Sequence, residues 1–262
     1  MRIVMRDRDD NVVENVEEYL KLDDPIYDID CDWALFYWLT FESGGTDNEG
    51  CGPESQGTCS EGETAVGIIQ WTVLVSKNMN NISGQFIKGC LEEDGDLCAP
   101  LAAFQGWSAQ QFWDDYQGAK TFKAVLSEIC DKNRDRFLEV QMEVAKKQYL
   151  DPLLQDHPWL ESFPKCVQGA VMHLRVWGAS TEDLGSHKSD TPEELLKYVR
   201  HKIANTSSTA GEATGDETSG RAFNEPEIGF GILDGRMSEE DIEEWVRTAD
   251  VGVLTRCGVE YR

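Results

Sequence analysis

One stretch of twelve residues constrains this chain more than any other. From Asp30 to Phe41 it reads DCDWALFYWLTF, dense in aromatics, and it runs straight into Glu42-Ser43-Gly44-Gly45. Trp33, Phe36, Tyr37 and Thr40 fall at i, i+3, i+4 and i+7, which predicts a buried helix. The two glycines predict its end. Covering so aromatic a segment needs a sizeable core, and a 40% hydrophobic share over 262 residues can supply one.

The rest of the chain reads as further helices with little strand signal. Residues 11–20 have amphipathic spacing, and Ser108 caps a helix over 108–117. Residues 119–130 and 133–150 read as two helices. The second carries Phe137, Val140, Val144 and Tyr149 on one stripe, with Pro152 as its terminator. Residues 163–178 read as a buried helix closed by Gly178. Thr191-Pro192-Glu193-Glu194 and Ser238-Glu239-Glu240-Asp241 are helix starts. Only Ala65–Leu74 is ambiguous between strand and helix. Residues 43–64 form a polar loop. Residues 205–220 (NTSSTAGEATGDETSG) are too hydrophilic to offset their ordering entropy, and read as a mobile loop or linker. The expectation is a mainly α protein in one domain over residues 1–262.

Net charge and cysteines narrow the function. At −25 the chain repels phosphate backbones, so nucleic acid is not an expected partner. A cationic substrate or a salty medium suits it better. No apolar run approaches the roughly 20 residues of a membrane span, and the N-terminal residues show no signal-peptide segment. Among eight cysteines, Cys51…Cys59 and Cys90…Cys98 repeat one spacing around Gly-containing polar loops, so two disulfides are expected. Disulfides imply work outside a reducing cytosol. With no Cys-x-x-Cys and four scattered histidines, no metal or other cofactor is expected.

The chemistry centres on Glu42. Cleaving a glycosidic bond needs a carboxylic acid that keeps its proton near neutral pH, and apolar surroundings can raise its pKa. Glu42 follows Trp38, Leu39 and Phe41 and precedes a Gly-Gly turn, a place where a carboxyl can be half-buried yet face a cleft.

The segments Phe41-Glu42-Ser43-Gly44-Gly45 and Gly67-Ile68-Ile69-Gln70-Trp71 together resemble the lysozyme-like superfamily. The pairing is similar to the Glu-Ser and Gly-Leu-Met-Gln motifs of lytic transglycosylases and to the Glu-Ser-Gly and Gly-x-x-Gln-Trp segments of phage tail lysozymes. Phe137…Gln141…Tyr149…Pro152 is similar to a helix of the chitosanases. The resemblance spans roughly residues 30–180. It implies a two-lobed helical fold with a small loop or β region beside the catalytic Glu. It implies Glu42 as proton donor and Glu63 as second carboxylate, with Glu61 and Asp47 behind it. Ser43, Thr64, Gly67, Gln70 and Trp71 would bind substrate: Gly67 by letting a sugar approach, Gln70 by hydrogen bonding an N-acetyl sugar, Trp71 by offering a flat face if it is not core. Arg175-Val176-Trp177-Gly178 stands where transglycosylases carry Ala-Tyr-Asn-x-Gly, which favours hydrolysis. The implied activity is that of a peptidoglycan-cleaving muramidase from a phage particle, an endolysin or a secreted antibacterial toxin, with an inhibitor or immunity protein as a possible partner. A chitosanase and a non-catalytic wall-binding module are the alternatives.

Overall fold

The structure is a computed structural model, and it describes residues 31–47, 52–58, 60–206, 217 and 220–262, apart from the side chain of Ser43. The expected helix over 11–20, the Cys51–Cys59 pair and most of the 205–220 segment lie outside the described residues.

The aromatic stretch folds as two short helices rather than one: α1 (Asp32–Leu35) and α2 (Leu39–Ser43). Phe36 leaves the helical region at φ −118° and ψ 10°. The physical reason is burial on every side. Leu35, Phe36, Tyr37, Trp38 and Leu39 are all essentially inaccessible, and a straight helix presents a single stripe to a core. The end of α2 follows expectation. Gly44 adopts φ 70° and its N–H bonds the Thr40 carbonyl at 2.9 Å.

The ambiguous 65–74 stretch resolves as strand. β1 (Gln56–Gly57), β2 (Glu63–Val66), β3 (Trp71–Leu74) and β4 (Met79–Asn80) form an antiparallel meander in sequence order. Val66 pairs with Trp71, so Gly67-Ile68-Ile69-Gln70 is the hairpin turn. Gln70 N–H closes it on the Gly67 carbonyl at 3.1 Å. Both ends of this turn need positive φ, 73° at Gly67 and 61° at Gln70.

Helices α3 (Lys88–Glu93), α4 (Ala109–Gln117) and α5 (Thr121–Ala145) follow. Asn133 breaks α5 internally at φ −163° and ψ 88°, where the sequence separates one helix from the next. Pro152 does not end the chain's helical course. A π-helical segment at Lys146–Leu150 leads into α6 (Asp151–Asp156), and Pro152 occupies its first turn, where a missing N–H costs little. Then come α7 (Lys165–Val176), α8 (Pro192–Asn205), α9 (Gly220–Leu233), α10 (Glu239–Thr248) and α11 (Val251–Arg256). Ser108, Thr191 and Ser238 each form a full capping box with the residue three positions on. The protein is mainly helical with a small sheet, and one contiguous apolar core draws on the sheet and every helix from α1 to α11. Among the described residues no helix is long and apolar enough to cross a membrane.

The six described cysteines, Cys31, Cys90, Cys98, Cys130, Cys166 and Cys257, are free thiols. The expected Cys90–Cys98 link is therefore not formed here, although both residues are fully buried.

Candidate active site

Three helices bring four ionisable side chains together. α2 carries Glu42 in its last turn, α7 carries His173, and α9 carries Arg221 and Glu225 four residues apart on one face. His173 Nε2 lies 3.0 Å from Glu42 Oε1, and His173 Nδ1 lies 2.7 Å from Glu225 Oε1. Arg221 Nη2 donates to Glu42 Oε1 and also approaches His173 Nε2, while its Nε reaches Glu225 Oε2 at 3.4 Å. His173 and Glu225 are fully buried; the side chains of Glu42 and Arg221 keep 18% and 23% of their surface exposed. The cluster thus opens outward through Glu42 and Arg221.

Aromatic rings wall it. Trp38 stacks on the imidazole at 4.4 Å with an 11° interplanar angle, and Trp177 lies nearly parallel to it at 6.4 Å. The Arg221 guanidinium sits 5.1 Å from the Trp177 ring centre and 5.7 Å from that of Phe41. Two glycines let the helices approach. A Cβ on Gly169, one turn before His173, would lie 2.3 Å from the Leu35 carbonyl oxygen. A Cβ on Gly229, one turn after Glu225, would lie 3.0 Å from both the Tyr37 hydroxyl and a Leu196 methyl.

The electrostatics differ from the sequence expectation. Burial alone would push the Glu42 carboxyl up. The His173 hydrogen bond and the nearby Arg221 charge outweigh it, and hold the carboxyl down at about 2. Glu42 therefore rests as a carboxylate, not as the neutral acid anticipated from its aromatic neighbours. His173 moves the other way. Burial would lower it, but the charge of Glu225 and the hydrogen bonds to Glu225 and Glu42 raise it above the ordinary histidine value despite the opposing Arg221.

The other expected residues divide. Gln70 is brought to the site: half-buried, with its Nε2 3.4 Å from the Glu42 carbonyl oxygen. Gly67 is not open to a sugar, because a Cβ there would lie 2.6 Å from Gln141 Oε1 and 3.0 Å from the Trp71 ring. The protein itself fills that space. Trp71 is core, 2% exposed, with Nε1 donating to Gln148 Oε1 at 2.8 Å and its ring against Phe86. Thr64 is also corrected from binding to scaffold: fully buried, its hydroxyl bonds the Gly57 carbonyl and accepts from Gln56. Ser43 contributes its backbone to α2; its side chain lies outside the described residues. Glu63 opens β2, half-buried, and accepts a short hydrogen bond from the Ser60 hydroxyl. That bond is to the preceding turn, and the hydrogen bonds of the cluster do not include Glu63. Glu61 is exposed in the preceding turn, and Asp47 pairs with Arg247 at 3.5 Å. Arg175 pairs with Asp156 at 2.8 Å.

Sequence reasoning missed His173, Arg221 and Glu225. A lone histidine inside the apolar run AVMHLRVW was one available signal, since a buried His must find partners. The four-residue Arg221…Glu225 spacing is another, although the adjacent Pro226 disfavours the helix that would put both on one face. Two surface cavities of about 270 and 280 Å³ include neither Glu42 nor Glu63. The first is lined by residues such as Gln85, Lys88 and Gln148, the second by Trp33, Arg136 and Met142. Compared with protein-family models, with curated proteins and with solved structures, the chain matches none.

Proposed function

We propose that the protein hydrolyses a glycosidic bond in an amino-sugar polymer, peptidoglycan first, with Glu42 as the carboxyl group that meets the scissile oxygen, in a lysozyme-like arrangement. One observation carries the reading: Glu42 is a partly exposed carboxylate at the mouth of an otherwise buried charge cluster, with Gln70 beside it. Groups whose protonation is perturbed by burial together with specific charge partners are candidates for functional sites. Gln70 supports the same reading. A non-glycine residue at φ 61° stores roughly 1–3 kcal/mol, and this one ends with its side chain against the Glu42 backbone. An amide held there is suited to an N-acetyl group. Glu63, on the polar side of the hairpin, is the proposed base for water, with Glu61 and Asp47 behind it.

As it rests, Glu42 is ionised, so it acts as an acid only after receiving a proton. Hydrolysis by two carboxylates then needs about 6.5–9.5 Å between them for inversion, or about 5 Å for retention. The net charge of −25 favours a second reading, a chitosanase-like hydrolase, because that polymer is cationic. We place the protein outside a reducing cytosol, where Cys51–Cys59 and Cys90–Cys98 would close as disulfides.

A digest of purified peptidoglycan and of chitosan, with mass analysis of the fragments, tests both readings. The expected products are hydrolytic fragments from one polymer, and a loss of about 10²–10⁴-fold in rate for Glu42→Gln. Near-normal turnover by that variant removes Glu42 from the chemistry. Binding without cleavage by the wild type identifies a wall-binding module instead.

A further inference from the structure

We infer that the transferable proton of this site resides on His173, which passes it to Glu42 through Nε2, with Glu225 and Arg221 arranged so that both ends of the transfer are satisfied. The inference rests on the glycosidase reading for its purpose, but the location of the proton is separately measurable.

Net charge, together with the two carboxylate contacts, favours one resting state. Among the described residues, the ionisable groups facing the imidazole are Glu42 from α2 and Arg221 and Glu225 from α9. Tyr37, between α1 and α2, feels the Glu225 charge but makes no hydrogen bond to the ring. Trp38 and Trp177 supply the apolar faces. With His173 protonated, two carboxylates balance two cations. Both ring N–H groups then donate, Nδ1 to Glu225 at 2.7 Å and Nε2 to Glu42 at 3.0 Å. A neutral imidazole keeps its bonds, Nδ1–H to Glu225 and Nε2 from Arg221, but leaves the cluster at −1. In a site with His173 and Glu225 fully buried, that arrangement is disfavoured.

Arg221 gives the transferred state, which lies above the resting one because Glu42 is the stronger acid, a hydrogen-bond partner of its own. Its Nη2 approaches both Glu42 Oε1 and His173 Nε2. While Nε2 carries a proton, two N–H donors are crowded together. When the Nε2–H bond breaks and the proton forms a bond to Glu42 Oε1, the electron pair left on Nε2 becomes an acceptor for Arg221 Nη2. Nδ1–H keeps its bond to Glu225, and the cluster stays neutral: Arg221 positive, Glu225 negative, His173 and Glu42 uncharged. Glu42 then gives its proton to the leaving oxygen and returns to the carboxylate. His173 regains a proton from solvent by way of Glu42, which has the exposed edge. His173 is thus a relay residue, and Glu225 a positioning residue that fixes which ring nitrogen keeps its hydrogen.

The sign of the pH dependence follows. His173 has its pKa raised on folding, so its charged form persists above the ordinary value near 6.5 and is lost only as pH rises through the folded value. The test is a ¹⁵N titration of the histidine ring in the intact wild-type protein. Both ring nitrogens of His173 are expected at protonated shifts in mild acid, with a deprotonation midpoint above the ordinary value near 6.5. Glu225→Gln and Glu42→Gln should each lower that midpoint. A wild-type midpoint at or below the ordinary value near 6.5 overturns the inference, whatever the protein hydrolyses. If hydrolysis is found, His173→Gln should cost about 100-fold in kcat with little change in KM and should move the alkaline limb of the rate profile. A His173→Gln variant that is folded, with normal kcat and an unmoved alkaline limb, overturns the relay while leaving the glycosidase reading intact.

Discussion

Gly67 shows how one residue can be read for the wrong reason. The motif around it points to a sugar pressed against a bare backbone, yet the space beside its Cα belongs to Gln141. Gln141 cannot yield. Its Oε1 accepts from Ile68 N–H at 3.1 Å, and its Nε2 donates to the Pro53 carbonyl at 2.8 Å, so one buried amide ties the hairpin turn to the loop before β1. Gly67→Ala places a Cβ 2.6 Å from that amide at a residue with φ 73°. It should destabilise the protein by about 2–4 kcal/mol, read as a lower urea midpoint with an unchanged slope. A variant of normal stability that binds substrate poorly would restore the sugar-contact reading.

At the scale of elements, the site depends on how closely α7 can lie against α1. Gly169 sets that distance, because any side chain there meets the Leu35 backbone rather than a movable side chain. His173 is one turn further along the same face and owes its reach to Glu42 to this contact. Gly169→Ala should cost about 1–3 kcal/mol in thermal or urea unfolding, and it should weaken the His173–Glu42 contact. Gly185→Ala is the control: a Cβ there meets nothing within 4 Å, and its cost should be within about 0.5 kcal/mol. Equal effects of the two substitutions would show that helix approach is not what Gly169 provides.

Across the whole molecule, net charge is the property that acts at the longest range. Ion pairs such as Arg256 with Asp241 and Glu244, or Arg247 with Asp135 and Glu243, are individually weak where exposed. A chain of −25 repels itself over distances that low salt leaves unscreened, about 30 Å at 0.01 M against about 8 Å at physiological ionic strength. The thermal midpoint should therefore rise as sodium chloride is raised from about 0.01 to 0.5 M. A falling midpoint would mean that the ion pairs outweigh the net repulsion.

Local rules were legible in the sequence because their causes are local. Capping boxes at Ser108, Thr191 and Ser238, the Gly44 stop and the break near Asn133 each depend on residues within four positions of one another. Glu42 was singled out in the same way, from its place behind an aromatic run. Its ionisation state was not legible, since it is set by His173 and Arg221, which are 131 and 179 residues away. Nor was α9, whose Pro226 argues against a helix until packing against α7 and α8 overrides that preference. Hydrogen bonds between neighbours in the chain determine where helices begin and end. Only the tertiary structure decides which buried charges meet, because a buried charge takes its protonation from whatever partners the fold delivers to it.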